Sequence, residues 1–236
     1  MAKSKTPSWL RLLPLAALGF ALAGSGSVAE AKSSSETEVD KPFLWKVDGA
    51  VKPSYLFGTI HAGVSMQDLP GVVGQAVSQS DAFVMETRPT KELLVRTRNS
   101  GQFPMDFALA ETASRSRKPV LGLESLRFQL NLMHKLGGGQ DMAAMLAEDP
   151  QAIASLTDAY RSGDLGQIAE QTECEDTSIR EMLFSRRNHR WAAQLESGLR
   201  RGGLFVAVGV GHFPGDDGVL RLLDQRGFSI SRVATS

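Results

Sequence analysis

The sequence predicts an α/β fold, a central mixed β-sheet flanked by helices, and three observations predict it. Short runs of β-branched and aromatic residues alternate with longer runs whose apolar residues recur at helical spacing. Leu204–Val208 is apolar throughout, as a strand covered on both faces must be. Two strand-like runs end in the same pattern, Gly58-Thr59-Ile60-His61 and Gly209-Val210-Gly211-His212, as though two degenerate half-repeats each placed a histidine at a strand end.

The elements follow in order. Phe43–Val47 and Ser54–Phe57 are strand formers separated by Asp48-Gly49, a hairpin leading into Gly58. Leu69–Ser80 has helical spacing at Val72, Val73, Ala76 and Val77. Ala82–Met85 reads as a buried strand closed by Glu86. Lys91–Arg98 and Pro104–Arg117 read as helices, Pro119–Leu123 as a strand ending at Glu124, and Ser125–Lys135 as a helix. Gly137-Gly138-Gly139 breaks the chain, and small helices follow through Ala169. A longer helix starts near Ser178, where Ser178-x-x-Glu181 has the form of a capping box, and ends at Gly202-Gly203. Asp216 or Asp217 is placed to cap a helix running to Leu223, and Phe228–Val233 alternates as an edge strand does.

Lys+Arg and Asp+Glu are equal at 26 each in 236 residues, so no basic excess marks a nucleic-acid partner or an acidic membrane surface. The lone cysteine, Cys174, excludes an internal disulfide and Cys-rich metal modules. The N-terminus has the form of an export signal. Lys3, Lys5 and Arg11 precede the apolar run Leu12–Ala23, which as a helix would span roughly 18 Å, too short for an ordinary membrane anchor. Ala29-Glu30-Ala31 offers small residues for cleavage. The expected organisation is a signal peptide over 1–31, a disordered spacer over 32–42 and one domain over 43–236, in the periplasm or secreted, without a stable membrane anchor.

The chemistry concentrates at the strand ends. A glycine there lets the chain turn sharply or lets another group approach, and the following histidine leaves the sheet at the carboxyl edge, where α/β domains bind ligands. His61 and His212, together with the strand-end carboxylates Glu86 and Glu124, form a donor set suited to a divalent ion such as Mn, Co, Zn or Fe. Arg187-Asn188 precedes Trp191 on the long helix, where the plain expectation is a solvated face beside an anchoring Trp. His134 and His189 lie in helical stretches and read as surface residues.

Leu44-Trp45-Lys46-Val47, Tyr55 through His61, Ser80-Asp81 to Glu86, Gly122-Leu123-Glu124-Ser125 with Gln129, Arg187-Asn188 and Phe205 through Gly218 together resemble the TraB/GumN family, which also contains the Tiki metalloproteases. The resemblance covers roughly residues 43 to 233. It implies a fold related to the haem-binding ChaN and erythromycin-esterase proteins, with Gly58 and Gly209 as motif glycines. It also implies a metal-dependent hydrolase acting on a peptide or protein substrate. In that expectation His61, His212 and Glu86 hold the ion, Glu86 or Glu124 relays protons, and Arg187 or Asn188 stabilises an oxyanion or orients a carboxylate. Where many relatives carry a second acidic residue after the first strand-end glutamate, this chain has Thr87-Arg88-Pro89, and its middle segment is compact. Two other classes stand beside the hydrolase: a protein that binds haem or another ligand without catalysis, and an accessory protein of export or polysaccharide assembly.

Overall fold

The computed structural model describes residues 39, 41–49, 51–61, 63–99, 104–136 and 150–235. The expected signal peptide, most of the spacer and the triple glycine at 137–139 lie outside the described residues.

The elements are β1 (Leu44–Val47), β2 (Ser54–Thr59), α1 (Gly71–Gln79), β3 (Ala82–Thr87), α2 (Lys91–Asn99), α3 (Met105–Arg115), β4 (Val120–Glu124), α4 (Leu126–Lys135), α5 (Pro150–Ser162), α6 (Leu165–Gln171), α7 (Thr177–Arg180), α8 (Arg186–Arg201), β5 (Leu204–Gly209), α9 (Val219–Asp224) and β6 (Ile230–Arg232). The strands form one mixed sheet in the order β4-β3-β5-β2-β1-β6. β4, β3, β5 and β2 pair in parallel, while β1 runs antiparallel to both β2 and β6. This topology matters for function, because four consecutive parallel strands deliver their carboxyl ends to one edge. Those ends carry the residues that follow Thr59, Met85, Leu123 and Gly209.

β5 sits between β2 and β3, and Phe205, Val206, Ala207 and Val208 are all buried. Phe83 and Phe205 occupy one register position and stack at 5.7 Å, with Phe57 tilted against Phe205 from the next strand. Helices flank the sheet. α3 packs on β3 and against α1, and α8 packs against α9. Gly198 lets α8 lie close over Leu204, since a Cβ there would come within 2.8 Å of the Leu204 side chain. No helix among the described residues is long and apolar enough to cross a membrane.

Two expected caps fall elsewhere. Asp176, not Ser178, caps the long helix, its carboxylate accepting from the Ser178 and Ile179 amides. A carboxylate at a helix start is favoured by the macrodipole over a hydroxyl two residues further on. α9 starts from Gly218 without a side-chain cap, because the Asp217 carboxylate is turned toward Ser185 and His189. The long helix also contains a π-helical turn, Glu181–Ser185, directly ahead of α8.

The two Gly-x-x-His motifs leave neighbouring parallel strands, but they are staggered by one position. Gly58 lies opposite Val208, and Gly209 lies opposite Thr59. Gly58 is required by close approach, since a Cβ there would sit 2.9 Å from a Val210 methyl and 3.0 Å from Phe43 Cβ.

Val206→Asp should cost several kcal/mol, because β5 offers an unpaired charge neither water nor a partner. A urea denaturation midpoint equal to the parent's would contradict a strand buried on both faces.

Candidate functional site

The carboxyl edge is organised around one cation. Arg187, in the first turn of α8, is 1% exposed. Its Nε donates to Glu124 Oε1 at 3.0 Å, and its Nη2 donates to Glu86 Oε2 at 2.6 Å and to Glu124 Oε2 at 3.0 Å. Its Nη1 donates to the Leu183 carbonyl at 2.9 Å and meets His212 Nε2 at 3.2 Å. These contacts use every N–H a guanidinium has. Trp191 stacks on the same group, 4.6 Å from the ring centroid to the guanidinium carbon. Arg187 therefore has no donor left for a substrate, and its geometry is that of a scaffold rather than of an oxyanion binder.

Glu124 accepts four hydrogen bonds. Besides Arg187 it accepts from Trp191 Nε1 at 3.1 Å and from Arg190, and its side chain is fully enclosed. Glu86 accepts three, from Arg187, from Gln129 Nε2 at 3.3 Å and from the Gly209 amide at 2.8 Å. Oε1 keeps one acceptor position, and that oxygen lies 3.7 Å from His212 Nε2. Burial raises the Glu86 pKa above the ordinary carboxyl value, with Glu124 adding to it and Arg187, Gly209 and His61 acting against it.

Asn188 holds His212. Its Nδ2 donates to the carbonyls of His212 at 3.3 Å and Asp217 at 2.8 Å, which fixes the amide orientation and turns Oδ1 toward the ring. His212 Nδ1 donates to that oxygen at 2.6 Å, leaving the Nε2 lone pair to accept from Arg187. The ring is completely buried between Trp191 and Phe184. Burial, reinforced by the Arg187 charge, pushes its pKa well below the ordinary value, so the imidazole is neutral.

His61 follows β2 by two residues. Its Nδ1 is 3.5 Å from Asp106 Oδ1 on α3. Burial opposes its charge, but Asp106 and then Glu86 outweigh burial and raise the His61 pKa. Thr59 Oγ1, His61 Nδ1, Thr87 Oγ1 and Asp106 Oδ1 are buried without a hydrogen-bond partner.

The structure thus brings His61, Glu86, Glu124, Arg187, Asn188 and His212 to one edge, with Gly58 and Gly209 beneath them. The residues as placed do not fit a metal ion. The position between the two glutamates holds the Arg187 guanidinium, the His212 Nε2 lone pair faces that cation, and among the described residues no group of three or more His, Cys, Asp or Glu side chains converges to hold an ion. Asp106, Arg190 and Trp191 also belong to the site. An acid in the first turn of a helix and an amphipathic Arg-Trp pair are such ordinary features that no sequence signal set them apart. His134 is exposed, and His189 is a surface residue bonded to Asp217 at 3.1 Å.

Arg187→Leu should cost about 3–5 kcal/mol, because it strands two buried carboxylates. A second expectation concerns pH. The stability carried by neutral His212 is present above its ordinary pKa of 6.5 and is lost as pH falls below it, since the unfolded chain then takes up a proton the folded ring refuses. His61 acts in the opposite sense, its contribution being present below 6.5 and lost as pH rises through its raised pKa. His212→Gln should therefore lose less stability than the parent between about pH 7 and pH 5, by up to about 1.4 kcal/mol per pH unit. Parallel stability curves from urea denaturation would contradict a neutral buried ring.

A model of the TraB/PrgY/gumN family matches residues 43–102 and 91–232. No curated protein and no solved structure matches the chain. The matched residues include each strand end just described and most of the domain, so the chain belongs to the TraB/PrgY/gumN family.

Proposed function

We propose that this protein is an exported hydrolase of peptide or related carbonyl bonds, with Glu86 and His61 as its reacting groups. Hydrogen-bond capacity carries this reading. Glu124 accepts four hydrogen bonds and both ring nitrogens of His212 are engaged, whereas Glu86 accepts three, only one of them at Oε1, and His61 has Nδ1 beside Asp106, which leaves Nε2 for a substrate. A carboxylate with a raised pKa is better matched to taking a proton from water near neutrality than an exposed one. A histidine with a raised pKa can return a proton to the leaving group. Environments that push neighbouring titratable groups toward such roles are how acid–base sites work in one pH range. The buried ion cluster keeps Glu86 fixed before substrate arrives, which lowers the reorganisation the reaction requires. Hydrolysis, and a peptide or protein as substrate, are what the likeness to Tiki proteases implies. Export rests on the basic and apolar N-terminal pattern up to Ala31.

The test is hydrolysis of a quenched-fluorescent peptide library by the mature protein. Glu86→Gln and His61→Asn should each reduce the rate about 10²–10⁴-fold, measured at a temperature where thermal melting shows each variant folded, since Glu86→Gln also weakens the pairing with Arg187. Undiminished cleavage by Glu86→Gln would end the assignment. Elemental analysis of the same preparation decides the role of metal. A stoichiometric divalent ion, lost in a His61→Ala, His212→Ala double variant, would require Arg187 to leave Glu86 and would replace this arrangement. A Soret band with no cleavage would favour ligand binding instead. Mass-spectrometric mapping of exported protein should find a mature N-terminus near Lys32, and an intact Met1 would contradict the signal.

A further inference from the structure

We infer that Asp106 is the positioning residue of His61, holding the Nδ1 proton so that the ring presents Nε2 to the carboxyl edge. The inference rests on the reading of His61 as a reacting group, but it concerns a property of the ring that needs no turnover to observe. Asp106 is the second residue of α3 and is buried, its side chain 11% exposed. The helix does not explain that burial, since its cap position is Pro104 and makes no side-chain cap bond. Oδ1 has no hydrogen-bond partner, and neither has His61 Nδ1. The two atoms lie 3.5 Å apart, on side chains that are both almost enclosed.

Leaving a buried donor or acceptor unsatisfied costs about 1–3 kcal/mol, so two such atoms facing each other have a strong reason to pair. An N–H···O bond is about 2.7–3.2 Å long, and an adjustment of a few tenths of an ångström makes one here. A neutral imidazole carries a single N–H. Once Asp106 accepts a hydrogen bond from the Nδ1 proton, the lone pair is at Nε2, and a charged ring has its second proton there, ready to be given.

The other motif histidine supplies an internal comparison. Asn188 Oδ1 accepts from His212 Nδ1 at 2.6 Å and fixes that ring in the same tautomer. Each motif histidine is thus met at Nδ1 by a side-chain oxygen from a neighbouring helix. The acceptor is an amide on the saturated side and a carboxylate on the side where proton transfer is proposed. A carboxylate placed in this way both orients a ring and strengthens its basicity.

The experiment is ¹H–¹⁵N correlation of the histidine rings in ¹⁵N-labelled mature protein, with His61 assigned by its loss in His61→Gln. Spectra are recorded above the pH at which the ring titrates, as located in the same series. In the parent, Nδ1 should carry the proton. In Asp106→Leu the proton should shift predominantly to Nε2. In Asp106→Asn, which keeps an oxygen acceptor as Asn188 does, it should return to Nδ1. Asp106→Ala serves in place of Leu if the larger side chain prevents folding, as judged by thermal melting. A parent ring protonated at Nε2, or the same Nδ1 proton in the parent and in the Leu or Ala variant, would overturn the assignment. A failed peptide assay with the expected tautomer pattern would discard the hydrolase reading and leave this one standing.

Discussion

A guanidinium buried between two carboxylates is the constraint on which the carboxyl edge depends. Removing such charges from water costs several kcal/mol per ion, and the cost is offset only when each hydrogen-bonding position is filled. Arg187 meets that condition by reaching β3 through Glu86, β4 through Glu124, its own preceding turn through Leu183, and the segment after β5 through His212. A strand slipped by one residue or a helix rotated by a fraction of a turn would leave a charge unpaired. The cluster therefore selects one arrangement of sheet and helix, beyond what apolar packing at Phe83, Phe205 and Leu199 requires.

That arrangement separates the two motif histidines chemically. His212 is enclosed by Trp191, Phe184, Asn188 and a cation, and its ring is confined to the neutral state. His61 faces carboxylates. Residues with the same sequence signature thus receive opposite electrostatic surroundings, because one follows β2 and meets Asp106 of α3 while the other follows β5 and meets Arg187 and Asn188 of α8. Glu86 belongs to both surroundings and is the group through which they are joined.

The strands were legible because periodicity reports burial directly. Leu204–Val208 has no polar residue to place toward solvent, and Ala82–Met85 is closed by a carboxylate that marks the edge. The gathering of His61, Glu86, Glu124 and His212 at one edge also followed from parallel strands alone. Arg187 and Asn188 entered through the family resemblance and not through periodicity. They lie in a stretch rich in Arg, Asn and His, where charge usually means solvent, and only three-dimensional convergence makes them interior. Asp106 was hidden because acids in a first helical turn are common. Asp217 was misplaced because its carboxylate has better partners in Ser185 and His189 than in the helix it precedes.

The π-helical turn at Glu181–Ser185 has a consequence for chain length. It bonds the Arg186 amide back to the Glu181 carbonyl, five residues earlier, so it holds one residue more than a regular turn. One residue corresponds to about 100° of rotation and about 1.5 Å of rise. Upstream of the turn the helix is fixed by the Asp176 cap, and downstream by Arg187, Trp191, Leu195 and Leu199 against the sheet. A shortened turn would force one end out of phase with the other. Regular α-helical bonding would be gained locally, and either the cap or the seating of the guanidinium would be given up. The segment thus acts as a spacer whose residue count, independent of which residues fill it, sets the azimuth of the long helix.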